Sequence, residues 1–301
     1  MATKQHVRSI SLPARSHPST ARVEEQLNKL KSMEANYSSA PFSSDSLSLC
    51  LSGLGALYEC ADDLLNMGST KQVLSQKRHE KCVDELVEGP VRLLDVCGTT
   101  RDVLMQINEH VQALQSALRR RKGDFSTLEN SITSYTCFRK KMKKDVKKLA
   151  NKFDSSLFSI SLPQDDHNND HFYAVIRVLR QVWAVNISIF RSLLGFLTFS
   201  SGSKSKSKSN IRKWSLAAKL IMYKGVVACE GRLVCVNELE SVDGALICSI
   251  ATKLGDGEKI QTAQKRLVAL ENSIQGLESG LENVFRSLIK TRASLLNIIS
   301  Q

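Results

Sequence analysis

Apolar residues recur at steps of three and four along most of this 301-residue chain, which is the spacing of one face of an α-helix. The last run is the most regular and continues for more than four heptads. It predicts a long C-terminal helix whose heptad seam packs within the chain or against another chain. Packing within the chain is favoured, because other amphipathic helices are available. The seam consists of Leu267, Leu270, Ile274, Leu277, Leu281, Val284 and Leu288, continued by Thr291, Leu295 and Ile298.

Capping residues and apolar spacing predict further helices upstream. Ser69 and Gln72 have the spacing of a capping box, which would start the third helix. Pro90 is expected in the first turn of a new helix, where proline is tolerated, and Gly98 is expected to kink or break that helix. The approximate helical ranges expected are 19–33, 47–67, 69–89, 90–121, 126–153, 171–199 and 211–254.

Five prolines and long leucine-spaced segments favour an all-α protein over a β-sandwich. We therefore predict one domain at 19–301, an elongated bundle of long amphipathic helices. A disordered basic arm rich in Ser and Pro is expected at 1–18. Flexible loops are expected near 34–46, 155–170 and 200–210, where polar residues interrupt the apolar pattern.

The formal net charge of +12 is concentrated in two stretches. Residues 119–152 carry twelve Lys/Arg against three Asp/Glu, and residues 204–213 carry five Lys/Arg and no acid. The helix in the first stretch is amphipathic, which is compatible with a solvated face, a surface for anionic lipid headgroups or a nucleic-acid patch. Nucleic acid is the least favoured, because few aromatic residues interleave the cations. The cationic side consists of Arg139, Lys140, Lys141, Lys143, Lys144, Lys147 and Lys148.

The N-terminal arm contains a short motif for phosphate-dependent binding. Arg8, Ser9, Ser11 and Pro13 fit the pattern R-S-x-S-x-P, which 14-3-3 proteins bind when the second serine is phosphorylated. A phosphate on Ser11 would bring nearly two negative charges to a groove of Arg and Lys. A chance match in an ordinary polar arm is the alternative.

The sequence offers no catalytic or metal-binding pattern. The eight cysteines form no CxxC pair, and a nucleophile elbow, a phosphate-binding loop and a dinucleotide fingerprint are all missing. The cluster at 165–171 combines Asp and His, but a polar loop before the next helix explains it better than a metal site. We therefore expect a non-enzymatic protein without catalytic residues, metal, cofactor or small-molecule substrate.

Residues 182–199 form a strongly apolar segment that nearly reaches the length of a membrane span. Asn186 and Arg191 lie within it, and an arginine at the bilayer midplane would cost about 3 kcal/mol. A buried core helix is therefore the favoured interpretation.

Several stretches resemble the plant BYPASS-type family over nearly the full chain. They are HVRSISLPARSHPSTARVEEQLNKLK (6–31), LNMGSTKQVLSQKRHEKCVDELVEGPVRLLDVCG (65–98), ALQSALRRRKGD (113–124), SYTCFRKKMKKDVKKL (134–149) and LENVFRSLIKTRASLLNIIS (281–300). The resemblance implies an α-helical intracellular regulator of root and shoot development. In the name-giving branch, it implies restraint of a root-derived mobile signal that arrests shoot growth. It supplies no catalytic residues.

The leading functional hypothesis is a regulatory or scaffold protein that acts through protein partners and is switched by phosphorylation of Ser11. The alternative is a peripheral protein held on anionic lipid by the basic helix and the Lys/Ser loop at 204–213. We expect a cytoplasmic location. We leave open association with membranes, a nuclear location and import into plastids. The composition of the arm is suitable for plastid import.

Overall fold

The computed structural model describes residues 19–37, 43–120, 125–157, 171–199, 237–251 and 257–301. In these ranges every regular element is a helix, which confirms the all-α prediction. The described helices are α1 (Ala21–Tyr37), α2 (Ser44–Asn66), α3 (Gly68–Gln76), α4 (Lys81–Arg119), α5 (Phe125–Leu157), α6 (His171–Thr198), α7 (Glu238–Ala251) and α8 (Gly257–Ile299).

Four long helices form the centre of the bundle. α8 packs against α2 and α4, and both of these helices also pack against α6 on the opposite side. α2 runs parallel to α8, because Ser44 bonds to Ser273 near one end and Asp62 accepts a hydrogen bond from Ser294 near the other. α4 runs in the opposite direction, since its C-terminal end lies beside the early part of α8.

The predicted heptad seam lies inside this core. All ten seam positions from Leu267 to Ile298 are buried, and the helices that cover α8 (α2, α3, α4 and α7) belong to the same chain. Packing within the chain, the favoured alternative, is therefore what the structure shows.

α2 and α8 are in close contact at two glycines of α8. A Cβ atom added to Gly280 would lie 2.9 Å from the Cβ of Leu51, and one added to Gly276 would lie 3.5 Å from the Oγ of Ser48. These glycines are four residues apart, so both lie on the face of α8 that meets α2. Their lack of a side chain allows the two backbones to approach each other.

The remaining helices cover the outside of the four-helix centre. α1 packs against α2 and α6, whereas α5 packs against α4 and α6. α3 covers α2, α6 and α8, and the short helix α7 lies on α8 and also touches α5. α5 is therefore an outer helix with one side on the bundle and one side open to solvent.

The apolar helix α6 is a core helix, as predicted. It buries seventeen of its twenty-eight residues, and Asn186 on its inner side donates a hydrogen bond to the Tyr58 hydroxyl. Among the described helices, none combines the length and the hydropathy needed to cross a membrane.

The predicted end and capping box of the third helix are wrong, whereas its start at Gly68 lies within one residue of the predicted start. α3 ends at Gln76 rather than near Gly89, and a turn at 77–80 separates it from α4. Met67 is the N-cap of α3 and makes no side-chain capping bond, so the predicted capping box at Ser69 does not form.

The predicted helix start at Pro90 and the predicted break at Gly98 are also wrong. α4 passes through both residues without interruption over thirty-nine residues. Pro90 removes one helical hydrogen bond, but it is buried, and Gly89 beside it packs against the Trp183 ring. Two residues after Gly98, Thr100 donates its hydroxyl to the Val96 carbonyl within the continuous helix.

Other expected segments are shorter or lie outside the described residues. α1 continues to Tyr37 and α2 begins at Ser44, so the loop expected at 34–46 is shorter than predicted. α5 likewise continues to Leu157. Of the helix expected at 211–254, the structure describes α7 and its flanking Asn237. The arm at 1–18 and the ranges 158–170 and 200–236 lie outside the described residues.

The contact at Gly280 predicts opposite effects for two glycine substitutions. Gly280→Ala should lower the free energy of unfolding by about 1–3 kcal/mol, because its Cβ would displace the base of the Leu51 side chain. Gly98→Ala is the matched control, since a Cβ there meets nothing within 4 Å. It should raise the free energy of unfolding by about 0.5–1 kcal/mol through helix propensity. Urea unfolding followed by circular dichroism measures both, and equal effects of the two substitutions would contradict the close approach.

Candidate functional site

The basic helix α5 divides into an inner apolar side and an outer cationic side. Of the seven apolar residues that helical spacing places on its inner side, six are buried and Leu149 is half-buried against the same core. The Phe138 ring stacks on His110 of α4 with ring centroids 4.2 Å apart, which fixes the rotation of α5 on the bundle. The buried positions are Leu128, Ile132, Tyr135, Met142, Val146 and Phe153.

Arg139 does not lie on the cationic side, contrary to the prediction. Its side chain is only 4% exposed, and its Nη2 lies 3.1 Å from the Oδ2 of Asp243 on α7. Its Nε also donates to the other oxygen of that carboxylate at 3.2 Å. This two-bond pair is the geometry that arginine and carboxylate groups favour. The guanidinium therefore joins α5 to α7 rather than facing a partner.

Two more side chains of α5 converge on Asp243. The Tyr135 hydroxyl donates to its Oδ1 at 2.9 Å, and the Nζ of Lys143 lies 3.6 Å from its Oδ2. Lys143 is half-buried and is thus only partly available on the cationic side. One carboxylate consequently holds three polar groups of α5, and we call Tyr135, Arg139, Lys143 and Asp243 the Asp243 cluster.

The surroundings of the Asp243 cluster decide the protonation of its members. Burial, with the nearby Asp243 carboxylate, raises the pKa of Tyr135 well above its usual value, so the phenol stays a donor. Burial disfavours the Arg139 cation, but the Asp243 carboxylate outweighs it and the pKa of Arg139 is raised. Burial and the neighbouring Arg139 lower the pKa of Lys143. The cluster is therefore a polar joint between two helices, in which the Asp243 carboxylate compensates the buried Arg139 guanidinium.

The other predicted cations of α5 are exposed on its outer side. They follow one another at spacings of one, three and four residues, which places them on one face over about 12 Å of helix. Asp145 beside them lies 3.7 Å from Lys148 in an exposed pair. We call this surface the lysine face, and it consists of Lys140, Lys141, Lys144, Lys147 and Lys148.

The other predicted sites lie mainly outside the described residues. This holds for the arm motif of Arg8, Ser9, Ser11 and Pro13, for the basic loop at 204–213, and for the Asp/His cluster before residue 171. His171 itself lies within hydrogen-bonding distance of Ser19 and Thr70 and so contributes to packing at the start of α6. Within the described part of the chain, Asp, Glu, His and Cys form no group suited to a metal ion.

Sequence reasoning missed Asp243 entirely. It lies in an apolar segment, 104 residues after Arg139, and no local pattern pairs the two residues. The one available signal was a carboxylate that follows Glu238 and Glu240 into the apolar part of the segment, since such a group needs a compensating partner when it is largely buried.

The comparison with protein families gives a match over most of the chain. A family model described as Protein BPS1 covers residues 50–298 of this chain.

The chain belongs to the BPS1 family.

This confirms the resemblance to BYPASS-type proteins and connects the chain with plant development. The match includes all of α3, α4, α5, α6 and α7, and therefore both the lysine face and the Asp243 cluster. Searches of the curated proteins and of the solved structures gave no match.

The Asp243 cluster predicts a large difference between two aspartate substitutions. Asp243→Ala should lower the free energy of unfolding by about 3 kcal/mol, because it leaves the buried Arg139 guanidinium without its carboxylate. Asp145→Ala removes an exposed pair of α5 and should change the free energy of unfolding by less than about 0.5 kcal/mol. Thermal and urea unfolding measure both.

A second variant separates the lost charge pair from lost packing. Adding Arg139→Met to Asp243→Ala should recover much of the stability, since an apolar side chain leaves no buried charge. A double variant as unstable as Asp243→Ala alone would contradict the assigned role of the pair.

Proposed function

We propose that this chain is a non-enzymatic regulatory or scaffold protein of plant root and shoot development. It acts through protein partners, and phosphorylation of Ser11 switches one of its interactions. Membership of the BPS1 family supports the developmental role. The arm motif is the observation that carries the partner-binding part of the proposal, because it combines a basophilic kinase site with a phosphoserine-reader site.

The chemistry of the arm motif accounts for a switch. Arg8 lies three residues before Ser11, which suits a kinase that selects basic residues. Phosphorylation adds a charge of about −1.5 to −2 and three acceptor oxygens, which an Arg/Lys groove binds by charge-assisted hydrogen bonds. Pro13 then directs the chain away from the groove. Without phosphate, the serine hydroxyl offers the groove little attraction.

Ion pairs between helices, some buried and some partly exposed, support a scaffold role for the bundle. Arg180 bonds to Glu85 at 2.7 Å between α6 and α4, and Lys290 lies 2.8 Å from Asp62 between α8 and α2. The Asp243 cluster joins α5 to α7 in the same manner. These ion pairs connect helices, so the outer helix faces and the arm are the surfaces that we assign to partners.

The Ser11 switch predicts a phosphate-dependent change in bound proteins. The full chain, phosphorylated in plant extract, should recover 14-3-3 proteins, and Ser11→Ala or phosphatase treatment should abolish that recovery. Ser16→Ala is the matched control, because Ser16 also follows an arginine in the arm but lies outside the motif. Affinity capture with quantitative mass spectrometry measures all four samples. An identical set of bound proteins for wild type and Ser11→Ala would overturn the switch.

A further inference from the structure

The positive charge of the lysine face exceeds the negative charge of the acidic side chains beside it. In the described part of the chain, Lys140, Lys144 and Lys147 have no ion-pair partner, and the single acid beside them is associated with Lys148. The Asp243 cluster draws Arg139 and Lys143 of the same helix inward. The result is an outward array of lysines on a helix whose other side is fixed to the bundle.

The composition of this array indicates the kind of surface that it suits. Protein interfaces favour aromatic residues, Met and Arg at their centre and are depleted in Lys. Nucleic-acid grooves interleave cations with aromatic side chains for base stacking, whereas Phe138 and Phe153 point into the bundle. Lysine is a compact, hydrated charge on a flexible stem, which suits a diffuse layer of negative charge better than a fixed hydrogen-bonding site.

The packing of α5 decides how such a contact is made. Amphipathic helices that insert into bilayers place their apolar side among the acyl chains. In α5 that side is occupied by α4 and α6, so it is not available to lipid. Contact through α5 must therefore be electrostatic and must leave the bundle folded.

We infer that the lysine face is a docking surface for a bilayer that contains anionic phospholipid, and that α5 lies along this bilayer without inserting. The inference goes beyond the partner binding proposed above and does not depend on Ser11. Lysines near an anionic membrane strengthen binding by about fivefold each, so five of them hold a protein reversibly. Contacts of this kind weaken as salt shortens the Debye length from about 10 Å at 0.1 M.

Vesicle sedimentation with the full chain tests the inference. Wild type should sediment with vesicles of phosphatidylcholine and phosphatidylserine, remain in solution with phosphatidylcholine alone, and be released by high salt. The triple variant Lys140→Glu/Lys144→Glu/Lys147→Glu should partition onto the anionic vesicles roughly 100-fold more weakly, or more weakly still. This estimate follows because it loses three lysines that contribute about fivefold each.

A second triple variant controls for net charge. Lys29→Glu/Lys81→Glu/Lys265→Glu makes the same change, from +12 to +6, at exposed lysines on α1, α4 and α8. It should lose far less binding than the lysine-face variant. Circular dichroism and thermal unfolding establish that both variants fold.

Three outcomes would overturn the inference. The first is wild-type protein whose sedimentation is the same with and without phosphatidylserine in the vesicles. The second is an equal loss of vesicle binding in the two triple variants. The third is lysine-face-dependent binding to RNA or to an acidic protein, with none to the vesicles, which would assign the face to a different polyanion. None of these results bears on the Ser11 switch, whose readout is the recovery of 14-3-3 proteins.

Discussion

The heptad seam of α8 is the constraint on which the rest of the bundle depends. A helix of forty-three residues that buries an apolar stripe along most of its length needs cover over that length. α2 and α4 supply most of this cover, and α3 and α7 add to it. Because α2 and α4 must in turn bury their other sides, α6 packs opposite α8 and closes the core.

The position of α5 follows from this arrangement and explains the two kinds of cation on one helix. α5 rests on α4 and α6, and α7, which is held by α8, places Asp243 beside it. On the side near α7, Arg139 forms an ion pair that holds two helices together. On the opposite side, the lysines are exposed to solvent and can contact a partner. Because α5 is fixed on the bundle, its lysine face points in one direction, away from the core.

The features that depend on periodicity could be predicted from the sequence, and those that depend on distant partners could not. The α8 seam and the apolar side of α5 were predicted correctly, because repeated spacing fixes which residues share a face. Arg139 was predicted on the cationic side because of its charge, although it lies four residues after the buried Tyr135 and three before the buried Met142. Helical spacing therefore places it on the apolar side, where Asp243 compensates its charge. Pro90 was treated as a helix start, because its burial beside the Trp183 contact was not visible in local sequence. The candidate site could therefore be located from sequence, and helical spacing separates Arg139 from the exposed lysines, but the distant carboxylate that compensates Arg139 could not be identified.

Native-state hydrogen exchange of the full chain tests the dependence on α8 most directly. If the buried seam organises the bundle, amides of α8 between Leu267 and Ile298 should exchange only through global unfolding and with one common free energy. Amides of the outer helices α1 and α5 should exchange sooner, through local openings. Exchange of α8 through local openings at the same rate as α1 and α5 would contradict the account.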